Sequence, residues 1–221
     1  MKYMKIKEYL FYSEPFLLYF ALFFPSVFTN SAITSFFTSN NIMINYIIIS
    51  IPQILLILYI FYIKKWNHTD NFIFTGPGTI LKTIFLIIIY TVLLIVFTNS
   101  VALILKITGI MQNVPSIVSS KQFIPFYFLV SIITGYREEL FFRAYLIKFF
   151  EKSPNKTFLA ISISVMFAIC HISQGFGAII VSFLNSMFLC FIFFKHKNIH
   201  INALSHALYN FFVLLASVFI V

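Results

Sequence analysis

The chain has 221 residues, 61% hydrophobic and only 10% charged, against a roughly half-apolar average for soluble domains. Runs of about 20 apolar residues recur along it, each enough to cross about 30 Å of hydrocarbon as a helix, so a single soluble core is excluded. The formal charge of +9 comes from lysines flanking those runs, not from a basic face, so nucleic acid is not the expected partner.

The composition predicts an all-α, polytopic transmembrane bundle of about seven to eight spans, one integral membrane domain with the lipid bilayer around it. The first span covers 9–28. Lys2, Lys5 and Lys7 precede it in the manner of a signal peptide, but Glu14 and Pro15 interrupt the apolar run and no small-residue cleavage site follows, so it reads as a retained span. The second covers 42–63 and the third 79–98. The stretch from Val101 to Ile110 is apolar but short, and reads as a re-entrant or interfacial piece or a partial eighth span. Residues 1–122 show no recognisable signature. The C-terminal part, 123–221, holds four further spans at 123–150, 157–174, 176–194 and 200–220.

Positive charge alternates between successive connections. It is rich before the first span, at Lys64 and Lys65, at Lys148, Lys152 and Lys156, and at Lys195 and Lys197; it is absent from 29–41. The pattern predicts a multi-pass protein of the cell membrane with its N-terminus in the cytoplasm. Lys106 and Lys121 run against it, though fewer. Cys170 and Cys190 lie in apolar runs without metal-site spacing and suggest no disulfide.

The acidic residues are Glu8, Glu14, Asp70, Glu138, Glu139 and Glu151. The fourth span reads Tyr136-Arg137-Glu138-Glu139-Leu140-Phe141-Phe142-Arg143. Four charges in one helix at membrane depth cost several kcal/mol before pairing and mark function. A competing reading ends the helix at Gly135 and puts the charges in a loop, but the apolar sequence continues to Phe150. Glu139 and Arg143, four apart, should pair. Glu138 points about 100° away and has no partner at helical spacing. An unpaired carboxylate in apolar surroundings keeps its proton to higher pH, as a general base near neutrality needs.

The fifth span ends in Phe167-Ala168-Ile169-Cys170-His171. A lone histidine on an apolar helix is usually a satisfied core residue. Here, a hairpin turning at Pro154-Asn155 puts His171 and Glu138 each about 16 residues, roughly 24 Å, from the turn, at equal depth. In the seventh span His206 and Asn210 share a face. Asn185 in the sixth is a further buried amide, equally explained by helix packing. Together these residues predict one polar pocket in the cytoplasmic half or at the midplane.

Asp70 is the only aspartate and lies in a loop, which leaves no aspartyl pair. No His-Glu-x-x-His helix is present. Ser205 and Cys170 each adjoin a histidine in sequence and so point elsewhere on the helix. What remains is water activated by Glu138 and His171, with His206 and Asn210 stabilising an oxyanion. Alternatively, Glu138, His171 and His206 hold a zinc ion.

Glu138-Glu139-x-x-x-Arg143, Phe167-x-x-x-His171 and His206-x-x-x-Asn210, in this order on successive apolar spans, resemble the motifs of the CPBP family. That family comprises CAAX proteases and bacteriocin-processing enzymes, is also called the Abi family, and includes type II CAAX prenyl endopeptidases. The resemblance implies an intramembrane endopeptidase acting on a membrane-associated peptide or protein. It assigns Glu138 and His171 to the water, His206 and Asn210 to the oxyanion, and Glu139 and Arg143 to support. The family has been labelled metalloprotease, but a glutamate-type mechanism without a cofactor is the reading favoured here. In a bacterium, a bacteriocin or pheromone leader suits better than a prenylated protein. The sixth span departs from the family in carrying Asn185, Ser186 and Cys190 where glycines are usual. Two alternatives are a non-proteolytic immunity or scaffold protein of the same fold, and a transporter using the charges as a proton relay, although no internal repeats support the latter.

Overall fold

A computed structural model describes residues 12–21, 23, 51–60, 77–111, 121–150 and 155–219. All regular structure among the described residues is helical. Of the first two predicted spans, 12–21 and 51–60 are helical. The rest of those spans and the connection at 29–41 lie outside the described residues. So do Lys64, Lys65, Asp70 and the Lys152–Pro154 turn.

The first long helix, α1 (Pro77–Ile107), has 31 residues, about 46 Å at 1.5 Å per residue. It corrects the expected break: Val101 onwards is no separate piece but continues the third span. Asn99-Ser100 does not interrupt it, because Ser100 Oγ donates to the Val96 carbonyl of its own helix at 2.8 Å. The buried face carries Thr83, Ile87, Thr91, Leu94 and Thr98, three or four apart, with Tyr90 beside them, while Leu81, Phe85, Val92, Val96 and Ile104 stand exposed. Hydroxyls inside and aliphatics outside invert the pattern of a soluble helix and suit a lipid-facing one.

Next, α2 (Ile124–Glu139) starts with a proline in its first turn, where the missing N–H costs nothing. It runs without a break into a π-helical stretch, Leu140–Tyr145, and a last helical turn, Leu146–Phe149. The helix therefore does not end at Gly135. All six residues of the π stretch are buried, as are Glu138, Glu139 and Leu146 on either side of it, so the helix is packed on every side at this level. Such π insertions are frequent at functional sites.

The following helix, α3 (Lys156–Ile169), is capped by Asn155, whose side chain accepts from Phe158 N at 3.0 Å. It is shorter than the predicted 157–174: the Cys170 and His171 amides fold back three residues, onto Phe167 and Ala168, and a 3-10 turn follows at Ile172–Gln174. Gly175, at φ 99°, admits the chain to α4 (Phe176–His196), a backbone angle open mainly to glycine. Lys197 ends α4 in the left-handed region. Asn198 Oδ1 then accepts from the His200 and Ile201 amides and starts α5 (Ile199–Phe219). Among the described residues three helices are long and apolar enough to cross a membrane: Thr79–Ile107, Phe176–His196 and Ile199–Phe219. The 14 residues of α3 make about 21 Å.

The site is set by how closely α2 approaches α5. A Cβ on Gly135 would stand 2.7 Å from the Ala203 carbonyl oxygen and 2.9 Å from Ala207 Cβ, so only glycine allows this contact. Small residues facing each other let membrane helices approach backbone to backbone. One turn beyond Gly135, the glutamates therefore meet the histidine of α5. The N-terminal residues pack on the other flank. Phe23 stacks on Phe141 with centroids 4.7 Å apart, Tyr19 donates to the Met166 carbonyl at 2.8 Å, and Glu14 accepts from Tyr59 and Tyr145 at 2.7 and 2.8 Å.

Candidate active site

Glu139 and Arg143 are both fully buried, and the pair expected from their spacing forms at 3.0 Å. Glu139 does more than the spacing predicts. Its Oε1 also accepts from His206 Nδ1 at 2.9 Å, and its Oε2 accepts from Asn202 Nδ2 at 3.3 Å. Arg143 in turn donates to Ser186 Oγ at 2.8 Å and to the Ser186 carbonyl at 3.1 Å. One carboxylate thus ties α2 to α5, and through Arg143 to α4. Buried charges are sustained only with partners of this kind. Ser186 is thereby part of this network. The sequence marks Ser186 only as a departure from the resembled family and does not mark Asn202, although Asn202 stands one turn before His206 and that spacing is a readable signal.

Glu138 departs from expectation. It is not unpartnered: Arg137, its neighbour in sequence, makes an ion pair with Oε1, and the Arg137 guanidinium also lies 4.9 Å from the ring centre of Phe23. Adjacent residues on a helix do not face each other, but the long arginine side chain curls back to reach the carboxylate. Oε2 is directed to His206, 3.7 Å from Nε2. His206 therefore stands between the two glutamates.

His171 lies beyond the end of α3, its Nδ1 3.1 Å from the Phe167 carbonyl. A carbonyl only accepts, so Nδ1 carries the proton and Nε2 offers a lone pair. By the same reasoning His206 Nδ1–H donates to Glu139 Oε1, so the neutral ring presents a lone pair at Nε2 and only the imidazolium presents an Nε2–H. Phe167 spaces the groups: its ring centre is 5.0 Å from that of His171 and 6.0 Å from that of His206, with the Arg143 guanidinium over it at 5.1 Å.

These residues converge around two adjoining cavities, not the single pocket expected. The larger, about 420 Å³, is lined by His171, His206 and Asn210, with Thr98, Asn185 and Tyr209 at another part of its wall. Asn185 accepts from Thr98 Oγ1 at 3.0 Å, which makes it both a packing residue and a cavity residue. The smaller, about 110 Å³, is lined by Arg137, Glu138, Cys170 and His171 together with Phe23, Phe142 and Phe167. Neither Ser205 nor Cys170 is directed at a histidine. Ser205 Oγ donates to the Ile87 carbonyl at 3.2 Å, and Cys170 Sγ is 3.5 Å from the Met166 carbonyl.

The zinc alternative rested on Glu138, His171 and His206. His206 has ligand-like support, since a carboxylate on Nδ1 is how metal-binding histidines are oriented. Against that, Arg137 pairs with the Glu138 carboxylate, a cation that would compete for the lone pairs a zinc ion needs. Among the described residues no group of three or more His, Cys, Asp or Glu comes together as a metal site.

Residues 120–212 match the model of a protein family described as type II CAAX prenyl endopeptidase Rce1-like. The matched region runs from the start of α2 into α5 and contains all three motifs. No curated protein and no solved structure matches the chain.

Proposed function

Because residues 120–212 belong with the CPBP family of CAAX proteases, we propose that this membrane protein is an intramembrane endopeptidase that cleaves a membrane-associated peptide or protein with a water activated by Glu138 and His171. The observation that carries the reading is the meeting of Glu138, His171 and His206 where two cavities adjoin, with Glu139 anchoring His206 from behind.

In the proposed reaction, Arg137 holds Oε1 of Glu138 and leaves Oε2 to take a proton. Oε2, helped by the Nε2 lone pair of His171, removes a proton from water as the water oxygen bonds to the carbonyl carbon. The electron pair of the carbonyl moves to its oxygen. That oxyanion is met by the Asn210 amide and by His206 in its imidazolium form, donors fixed before the charge develops. Collapse breaks the C–N bond, and the proton held by the Glu138–His171 pair passes to the leaving amine. Arg143, Asn202 and Ser186 touch neither water nor peptide; they hold Glu139, and Glu139 holds His206. The proposed setting is a seven-to-eight-span protein with a cytoplasmic N-terminus, in which 1–122 shapes substrate choice.

The test is co-expression with a panel of membrane-anchored peptides, leader peptides and CAAX-ended peptides included, followed by mass spectrometry of the products. Wild type should release a defined fragment that Glu138→Ala and His171→Ala do not. Fragments from the Ala variants would overturn the mechanism. A folded wild type that leaves every peptide intact would favour the scaffold alternative.

A further inference from the structure

Base and oxyanion donors do not line the same space. Glu138 and Arg137 border only the smaller cavity, His206 and Asn210 only the larger, and Phe167 and His171 are the walls they share. The two spaces also differ in chemistry. The larger one, about 420 Å³, has the dimensions of a ligand cleft and a lining half apolar and half polar, with no carboxylate, lysine or arginine in it. The smaller is too narrow for a peptide, yet four of its seven lining residues are charged or polar. About 10–15 Å³ suffices for one water if polar partners are present, so about 110 Å³ accommodates several.

We infer that the smaller cavity is a dedicated water chamber, set apart from the peptide cavity by the His171–Phe167 wall, and that the hydrolytic water reaches Glu138 from this side while the peptide reaches His206 and Asn210 from the other. The arrangement solves a problem particular to proteolysis in a bilayer. A substrate in the larger cavity fills it with apolar groups and expels water, whereas a chamber behind the base keeps its water when the peptide is bound. Arg137 and Glu138, ion-paired on the chamber wall, supply donors and acceptors that hold water there. Phe23, from the N-terminal residues, and Phe142, from the π stretch, close it on the apolar side.

The inference rests on the proteolytic reading for its purpose but not for its test, because the chamber carries its own reporter. Cys170 lines it, while Cys190 is fully buried in the core and lines neither cavity. Silver ions travel in water and bond thiolates. The full-length protein in lipid nanodiscs is exposed to silver nitrate for increasing times and quenched. Unreacted cysteines are then alkylated after unfolding and quantified peptide by peptide. Cys170 should be protected at least about tenfold faster than Cys190, as reactivity follows access to water. Equal rates, or protection of neither, would overturn the water chamber.

A second arm tests the separation. Ser182→Cys, or Ala178→Cys should that variant fold poorly, places a thiol on the wall of the larger cavity, where a bulky maleimide is attached. Silver should then reach Cys170 within about twofold of its former rate. A large slowing would mean that both spaces are filled through one entrance. Labelling needs no turnover, so a positive result alongside an inactive protein would overturn the protease and leave the chamber standing.

Discussion

Glu138 and Glu139 are adjacent and chemically identical, and the structure predicts opposite consequences for the same substitution. Glu139→Gln removes the negative charge paired with the fully buried Arg143 and inserts an amide N–H2 where His206, Asn202 and Arg143 all donate. Breaking a buried ion pair by removing one partner costs about 3–5 kcal/mol; because the glutamine oxygen still accepts one bond, about 3 kcal/mol is the expected loss. In a chain of this size 1 kcal/mol moves the melting temperature by about 2–4 °C, so Glu139→Gln should melt roughly 6–12 °C below wild type. Glu138→Gln leaves Arg137 its contact with the Phe23 ring and its place on the smaller cavity, and should cost about 1 kcal/mol, or about 2–4 °C, while abolishing cleavage. The assay is thermal unfolding in detergent micelles, read by loss of the monodisperse peak, beside cleavage measured well below either transition. The double variant Glu139→Leu/Arg143→Met should regain part of the lost stability, since removing both charges leaves neither stranded. Equal melting shifts for the two single Gln variants, or a larger one for Glu138→Gln, would refute the assignment of one glutamate to anchoring and the other to chemistry.

Gly135→Ala drives a methyl group into the backbone of α5; a loss of about 1–3 kcal/mol should appear in the same melting assay, with Gly135→Leu failing to accumulate at all. Arg137→Gln should lower kcat by about tenfold to a hundredfold with KM nearly unchanged, because the residue positions the base and does not touch the peptide; Arg137→Lys should restore part of the rate, which a purely packing role would not. Asn210→Ala should lower kcat by about a hundredfold or more with little change in melting, as Asn210 lies on the cavity wall. Prolonged chelation should leave cleavage within about twofold of the untreated rate and added zinc should not raise it, since the donor set carries an arginine where a metal would compete; loss on chelation and recovery with zinc would reverse that assignment.

The site was legible in the sequence where one helix's geometry decides it. The Glu139–Arg143 spacing specifies its own contact, and the shared face of His206 and Asn210 follows from a single turn. Counting from Asn155 brought Glu138 and His171 to a common cavity, even though the helix carrying His171 stops short of it. What remained hidden depends on side-chain reach and on close packing. Helix spacing denies Glu138 an intrahelical partner, and only the curled Arg137 supplies one. Gly135 reads as a weak point in a helix until Ala203 and Ala207 are seen against it. The π stretch has no signature in its residues: the apolar run at Leu140–Tyr145 reads equally well as ordinary α-helix. Asn99-Ser100 looked like a boundary because polar residues usually mark one, but in an apolar setting Ser100 satisfies itself on its own helix.

Whether the Glu138 carboxylate takes the proton from the attacking water is decided by single-turnover cleavage of a bilayer-reconstituted peptide by purified wild type and Glu138→Gln, both confirmed as folded. Removing the base should slow the cleavage step about a thousandfold or more with peptide binding retained. A Glu138→Gln enzyme that still cleaves within tenfold of wild type would contradict it.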